Sequence, residues 1–156
     1  MRVNKDELVK VRNLCSWSIY FKLQNTRGDI EILPSPGSKN MFVSEIISQV
    51  DNGNVFFIGE DDKGSHAKIY IEHDELRKEL GFDSLDGKEM QKILTDEKCE
   101  SILALKTQKS FEKNVKEFVV ANHEKDKIIK VARKMKIDSY EKISFLEDYC
   151  NMKFKE

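Results

Sequence analysis

Phe82-Asp83-Ser84-Leu85-Asp86-Gly87 is the stretch around which the chain changes its hydrophobic period. Before it, apolar residues mostly alternate or come in short runs broken by Gly, Asn and Asp. After it they recur every three or four residues, with no Pro or Gly beyond Gly87. The first habit is that of β-strands and the second that of amphipathic helices. The expected fold class is therefore α+β: a small β-rich module, barrel- or sandwich-like, over 1–81, followed by a helical bundle over 88–156. The polar hexapeptide is the expected boundary.

Working toward the amino terminus, Leu8, Val9 and Val11 open a strand that ends near Asn13. Trp17 to Leu23 forms a second, with Trp17, Ile19, Phe21 and Leu23 on one face. Asn25-Thr26-Arg27-Gly28 reads as a turn, and Asp29 to Leu33 as a third strand closed by Pro34-Ser35-Pro36-Gly37. Ser44 is the expected cap of a short helix with Glu45 in its first turn, stopped at Asn52-Gly53-Asn54. Val55-Phe56-Phe57-Ile58 reads as a buried strand, and Ala67 to Ile71 as its hairpin partner across the turn Asp61-Asp62-Lys63-Gly64. The total is about five strands with one short helix inserted. Asp74 to Leu80 is a helix stopped by Gly81, docked by Leu76 and Leu80.

Toward the carboxy terminus, Lys88 to Leu94 is expected to hold a turn or two of helix. Thr95 is the expected cap of the next helix, with acids in its first turn and Ile102, Leu103 and Leu105 on its buried side. Ser110 is the expected cap of a helix striped by Phe111, Val115, Phe118 and Val119. Ile128, Ile129, Ala132 and Met135 continue the period. Asp138 or Ser139 starts a last helix carrying Tyr140, Ile143, Leu146 and Tyr149. Three or four amphipathic helices result, each needing a surface to pack on.

Composition narrows the function. Hydrophobic residues are 39% and charged residues 35%, enough for a core beneath a solvated surface. The net charge of −1 gives no global field toward nucleic acid or membrane. The charge is uneven, however. Residues 73–107 carry six basic against nine acidic side chains, and residues 108–156 twelve against nine. Cys15, Cys99 and Cys150 are far apart with no CxxC pair, which supports neither a zinc knuckle nor a disulfide framework and suits a reducing compartment. The first residues lack the apolar core of a signal peptide, and no run is long enough to cross a bilayer. The expected location is a cytoplasm, or an assembly built there.

Chemistry-bearing residues are sparse. His66 and His73 with Asp61, Asp62 and Asp74 match no metal-ligand spacing, and surface polar roles fit them better. Ser65 beside His66 is not a triad, and Cys15 lacks a base. Trp17, Tyr20, Phe21, Phe56, Phe57 and Tyr70 fit a core better than a base-stacking platform. No phosphate-binding glycine loop is present. No catalytic residue, cofactor or metal is expected. The best electrostatic feature is Lys125, Lys127, Lys130, Arg133, Lys134 and Lys136, with Lys127, Lys130 and Lys134 on one helix face. Such a stripe meets either an acidic protein surface or phosphates. A helix-turn-helix over 124–150, with Ile137-Asp138-Ser139 as its turn, lacks the usual small residue there.

Asn52 to Gly59 (NGNVFFIG) and Gly64 to Ile71 (GSHAKIYI), in a Lys-, Ile- and Asn-rich chain, resemble small virion-gene products of phages from low-GC bacteria. The resemblance implies a non-enzymatic structural part of a capsid, neck or tail. It implies other structural proteins or copies of itself as partners, and residence in the host cytoplasm and then the virion. The two modules, each with an amphipathic surface, point the same way. Nucleic-acid binding or regulation through the basic 125–136 helix is the runner-up.

Overall fold

The structure, a computed structural model, describes residues 3–154. The chain is α+β, with its strands in the amino-terminal part and helices dominating the rest. It divides into two compact units, Met1–Ile93 and Leu94–Glu156. The boundary lies after the Phe82–Gly87 stretch, not within it. Phe82 belongs to the core of the first unit and Asp83 is buried there. The amide of Lys92 donates to Ser65 Oγ and the Gln91 side chain to the Gly64 carbonyl, so 82–93 folds back on its own unit. Residues 88–94 are irregular, not helical.

In the first unit, β1 (Leu8–Asn13) is the middle strand of a three-stranded antiparallel sheet, between β4 (Ser38–Phe42) and β5 (Ile69–Ile71). β2 (Ile19–Lys22) and β3 (Asp29–Ile32) form a separate two-stranded ribbon. Val9, Val11, Met41, Ile69 and Ile71 from the sheet meet Ile19 and Ile32 from the ribbon in one core. Alternation along β1 and in the ribbon is the pattern read from sequence, except that Trp17 lies outside β2 and is exposed.

Two elements differ from expectation. Val55–Ile58 is a one-turn helix, α2, because the Asn54 side chain accepts the Phe56 amide at 3.0 Å and starts a turn. Gly59 stops it at φ 69, where a Cβ would lie 2.1 Å from the Ser65 carbonyl oxygen. β5 accordingly pairs with β1, not with Val55–Ile58. Conversely, Ser38–Phe42 is a strand that the sequence reading passed over. α1 (Val43–Asp51) follows it with Phe42 as its cap, so Ser44 lies inside the first turn. α3 (Asp74–Glu79) starts on His73, whose Nδ1 accepts the Leu76 amide at 3.0 Å.

Three buried polar side chains tie the irregular parts of this unit. Asn13 donates to the carbonyls of Trp17, Ile32 and Leu33 and accepts the Cys15 amide, fixing the ribbon to β1. Glu45 accepts the amides of Gln24 and Asn25, holding the ribbon's turn to α1. Arg77 bonds Asp83 at 2.9 Å, Asp74, and the Ile71 carbonyl.

The second unit holds α4 (Asp96–Leu103), α5 (Gln108–Phe118), α6 (Asn122–Lys134) and α7 (Tyr140–Cys150). Thr95 and Ser139 cap α4 and α7, whereas α5 is capped by Thr107 and not Ser110. The chain leaves the helix over 119–121 and α6 starts at Asn122, with Glu124 Oε1 accepting the Val120 and Ala121 amides. Cys99, Ile102, Phe111, Val115, Ile128, Ile129, Ala132 and Leu146 form the core. Met135 and Tyr140, expected on the buried stripe, are exposed.

Candidate protein-interaction surfaces

The basic residues of α6 do not form one solvent-facing stripe. Lys127 is sunk to 7% exposure, and its Nζ lies 3.0 Å from Asp96 at the start of α4. Arg133 turns inward to the Lys153 and Phe154 carbonyls. Lys125 lies 5.7 Å from the centre of the Tyr149 ring. Lys130 pairs with Asp126 one turn back at 3.2 Å but stays exposed. Lys130, Lys134 and Lys136 are thus the members most open to solvent. The expected face of Lys127, Lys130 and Lys134 loses its first member because α6 packs on α4 there. That packing is set by residues far apart in sequence, and periodicity carries no sign of it.

The three-stranded sheet presents a different kind of surface at its edges. In an antiparallel ladder, alternate residues turn both backbone groups toward one neighbour. Asn13 donates to the Gly37 carbonyl and Val43 to the Glu7 carbonyl, so residues 37, 39, 41 and 43 face β1. Ser38 and Asn40 therefore turn their N–H and C=O away from the sheet, and Phe42 its N–H. Ser38, Lys39, Asn40 and Phe42 are all exposed. On the face away from the core, Phe42 sits opposite Leu8, and the two are 52% and 56% exposed. Lys10 is the next residue on that face of β1 and lies opposite Asn40.

The other edge is closed. β5 is only three residues long, and its outward Ile71 carbonyl accepts both the His73 amide and Arg77 Nη1. Arg77 is buried, stacks 4.9 Å from the Tyr70 ring centre and is held by Asp83. Burial alone disfavours its charge, but Asp83, Tyr70 and Asp74 outweigh that and hold the guanidinium above its ordinary value.

The other candidates from sequence have structural positions. His73 caps α3 and contacts Glu7 at 3.2 Å. Ser65 holds the Lys92 amide, and Cys15 lies in the core. Burial pushes the thiols of Cys99 and Cys150 up to about 12 and about 11, which keeps them protonated and poor nucleophiles at neutral pH. Among the described residues, no three His, Cys, Asp or Glu side chains are arranged to hold a metal, and no helix is long and apolar enough to cross a membrane. A groove of about 520 Å³ in the second unit, lined by Ile137, Tyr140, Ile143 and Phe154, has Glu147 as one of its acids. That carboxylate is already bonded to the Phe154 amide.

Of the aromatic set, Phe57 is fully buried, with Phe21 packed edge-on at 5.5 Å. Tyr20 is exposed and bonds Glu31 across the ribbon. The β4 edge is the surface the sequence reading missed. Its signal was Met41 and Val43, two apolar residues spaced by two that follow the polar Ser38-Lys39-Asn40 after the Pro-Gly turn. No family model, no curated protein and no solved structure matches the chain.

Proposed function

We propose that this protein is a non-enzymatic part of a protein assembly and docks a neighbour along β4. The observation that carries the reading is an edge strand whose outward Ser38 and Asn40 backbone groups have no partner among the described residues, beside the exposed Leu8–Phe42 pair. Such edges are ordinarily short, covered or twisted away, because they template pairing with another chain. An added strand gains main-chain hydrogen bonds from the edge and burial from the apolar pair. The exposed Lys130, Lys134 and Lys136 of the second unit offer a second, electrostatic contact to an acidic protein surface.

The finer reading is a phage-type structural component of a capsid, neck or tail, binding other virion proteins or copies of itself. It rests on composition and on the resemblance of the Asn52–Gly59 and Gly64–Ile71 stretches. The test is sedimentation of the protein from cells that make it, with and without nuclease. Assembly predicts a particle well above the 18.2 kDa of one chain that survives nuclease. Collapse to the monomer on nuclease treatment overturns it in favour of nucleic-acid binding. Purified protein then binds duplex with a log–log salt slope near −3, roughly one released ion for each of the three exposed lysines.

A further inference from the structure

We infer that the β4 edge takes an extended acidic strand from a partner protein, added antiparallel to Ser38–Phe42. The inference rests on the docking reading above and names its occupant. Each pairing already in the two sheets is antiparallel. An incoming residue opposite Asn40 exchanges two main-chain hydrogen bonds with it, and the same recurs at Ser38.

Side chains along the edge define the rest. β4 reads Ser-Lys-Asn-Met-Phe, with one cation and no acid. Lys39 and Lys10 are exposed beside it, one on each face of the sheet. Arg12 is paired with Glu72 at 3.0 Å, so it does not compete for the guest's acids. Acids on one face of the guest strand meet Lys39, while apolar residues on its other face, opposite Asn40 and Phe42, cover the Leu8–Phe42 pair.

A second copy fits less well. Two β4 strands bring cations and no acid to one ladder. With Asn40 opposite Asn40, Phe42 faces a serine and its apolar surface stays uncovered. Charge complementarity therefore selects a different, acidic strand over self-pairing.

The test uses short fluorescein-labelled peptides of alternating Val and Glu, or Val and Lys, titrated with the full chain and read by anisotropy. The Val–Glu peptide is expected to bind at least about tenfold more tightly than the Val–Lys peptide, and Lys39→Glu to abolish that preference. Asn40→Pro removes an outward N–H that β1 does not use, so it abolishes peptide binding while the circular dichroism spectrum and melt persist. Ser38→Pro tests the same geometry if the first variant does not fold. Equal or tighter binding of the Val–Lys peptide, or wild-type affinity in both proline variants, overturns the inference. Light scattering separates it from the docking reading. A wild-type dimer that proline at 38 or 40 returns to monomer, with no peptide bound, sinks the acidic strand and leaves edge docking standing. A monomer that binds neither peptide and is absent from any assembly sinks both.

Discussion

At the β5 edge of the three-stranded sheet, a buried arginine occupies the last outward carbonyl and is itself held by a buried aspartate. At the β4 edge, on the other side of β1, the outward groups of Ser38 and Asn40 meet solvent and the nearby cations, Lys10 and Lys39, are exposed. Both edges carry positive charge beside backbone groups that β1 leaves unused. Depth decides what that charge does. A buried cation with a fixed partner finishes the sheet, whereas an exposed one leaves the edge able to take a guest. The same contrast recurs on α6, where Lys127 is sunk against Asp96 and Lys134 is free to meet solvent.

The largest effect expected is at the closed edge. Arg77→Leu leaves Asp83 buried without its cation and should cost about 3–5 kcal/mol, read from urea melts. Arg77→Leu with Asp83→Leu should recover much of the loss, because the stranded charge is gone. If the single variant melts like wild type, Arg77 does not close the edge and the comparison fails.

On α6 the contrast predicts a split. Lys127→Glu sets an acid against Asp96 in a buried position and should cost about 3 kcal/mol. Lys134→Glu should change stability by no more than about 0.5 kcal/mol. Equal costs would mean that α6 does not pack as described. A triple reversal of Lys127, Lys130 and Lys134 is therefore a poor probe of docking, since its first member damages the fold.

A smaller effect tests how well the helical unit is sealed. Cys99 ionises near 9.0 when unfolded, but burial pushes it up to about 12 in the folded protein. Below pH 9 the thiol is neutral in both states and its contribution is whole. As pH rises toward 12 the unfolded chain loses its proton first, so the contribution drains away. Between pH 9 and 10 the loss should reach about 1 kcal/mol, and Cys99→Ala should remove that part of the slope. A thiol that reacts with maleimide at pH 8 without prior unfolding would contradict the burial.

Much of the fold was legible because it is local. β1, the ribbon turn, the Gly81 stop and the Thr95 and Ser139 caps each depend on a few adjacent residues. Val55-Phe56-Phe57-Ile58 misled because four apolar residues in a row have no period, and the deciding signal was the Asn54 side chain just before them. β4 escaped because Ser38, Lys39 and Asn40 are polar, a feature natural to an edge and foreign to a core strand. The open β4 edge itself depends on the order β4-β1-β5, set by pairing between distant segments. The burial of Lys127 likewise depends on Asp96, 31 positions away. Neither leaves a mark on local pattern.

The central claim, that β4 is open and is the docking edge, is tested most directly by residue-resolved hydrogen exchange over 36–44, in the free protein and in its native assembly. The account predicts alternation in the free protein, with Lys39 and Met41 protected by β1 and Ser38 and Asn40 exchanging fast. In the assembly, Ser38 and Asn40 become protected as well. Slow exchange at Ser38 and Asn40 in the free protein, or fast exchange there in the assembly, would contradict it.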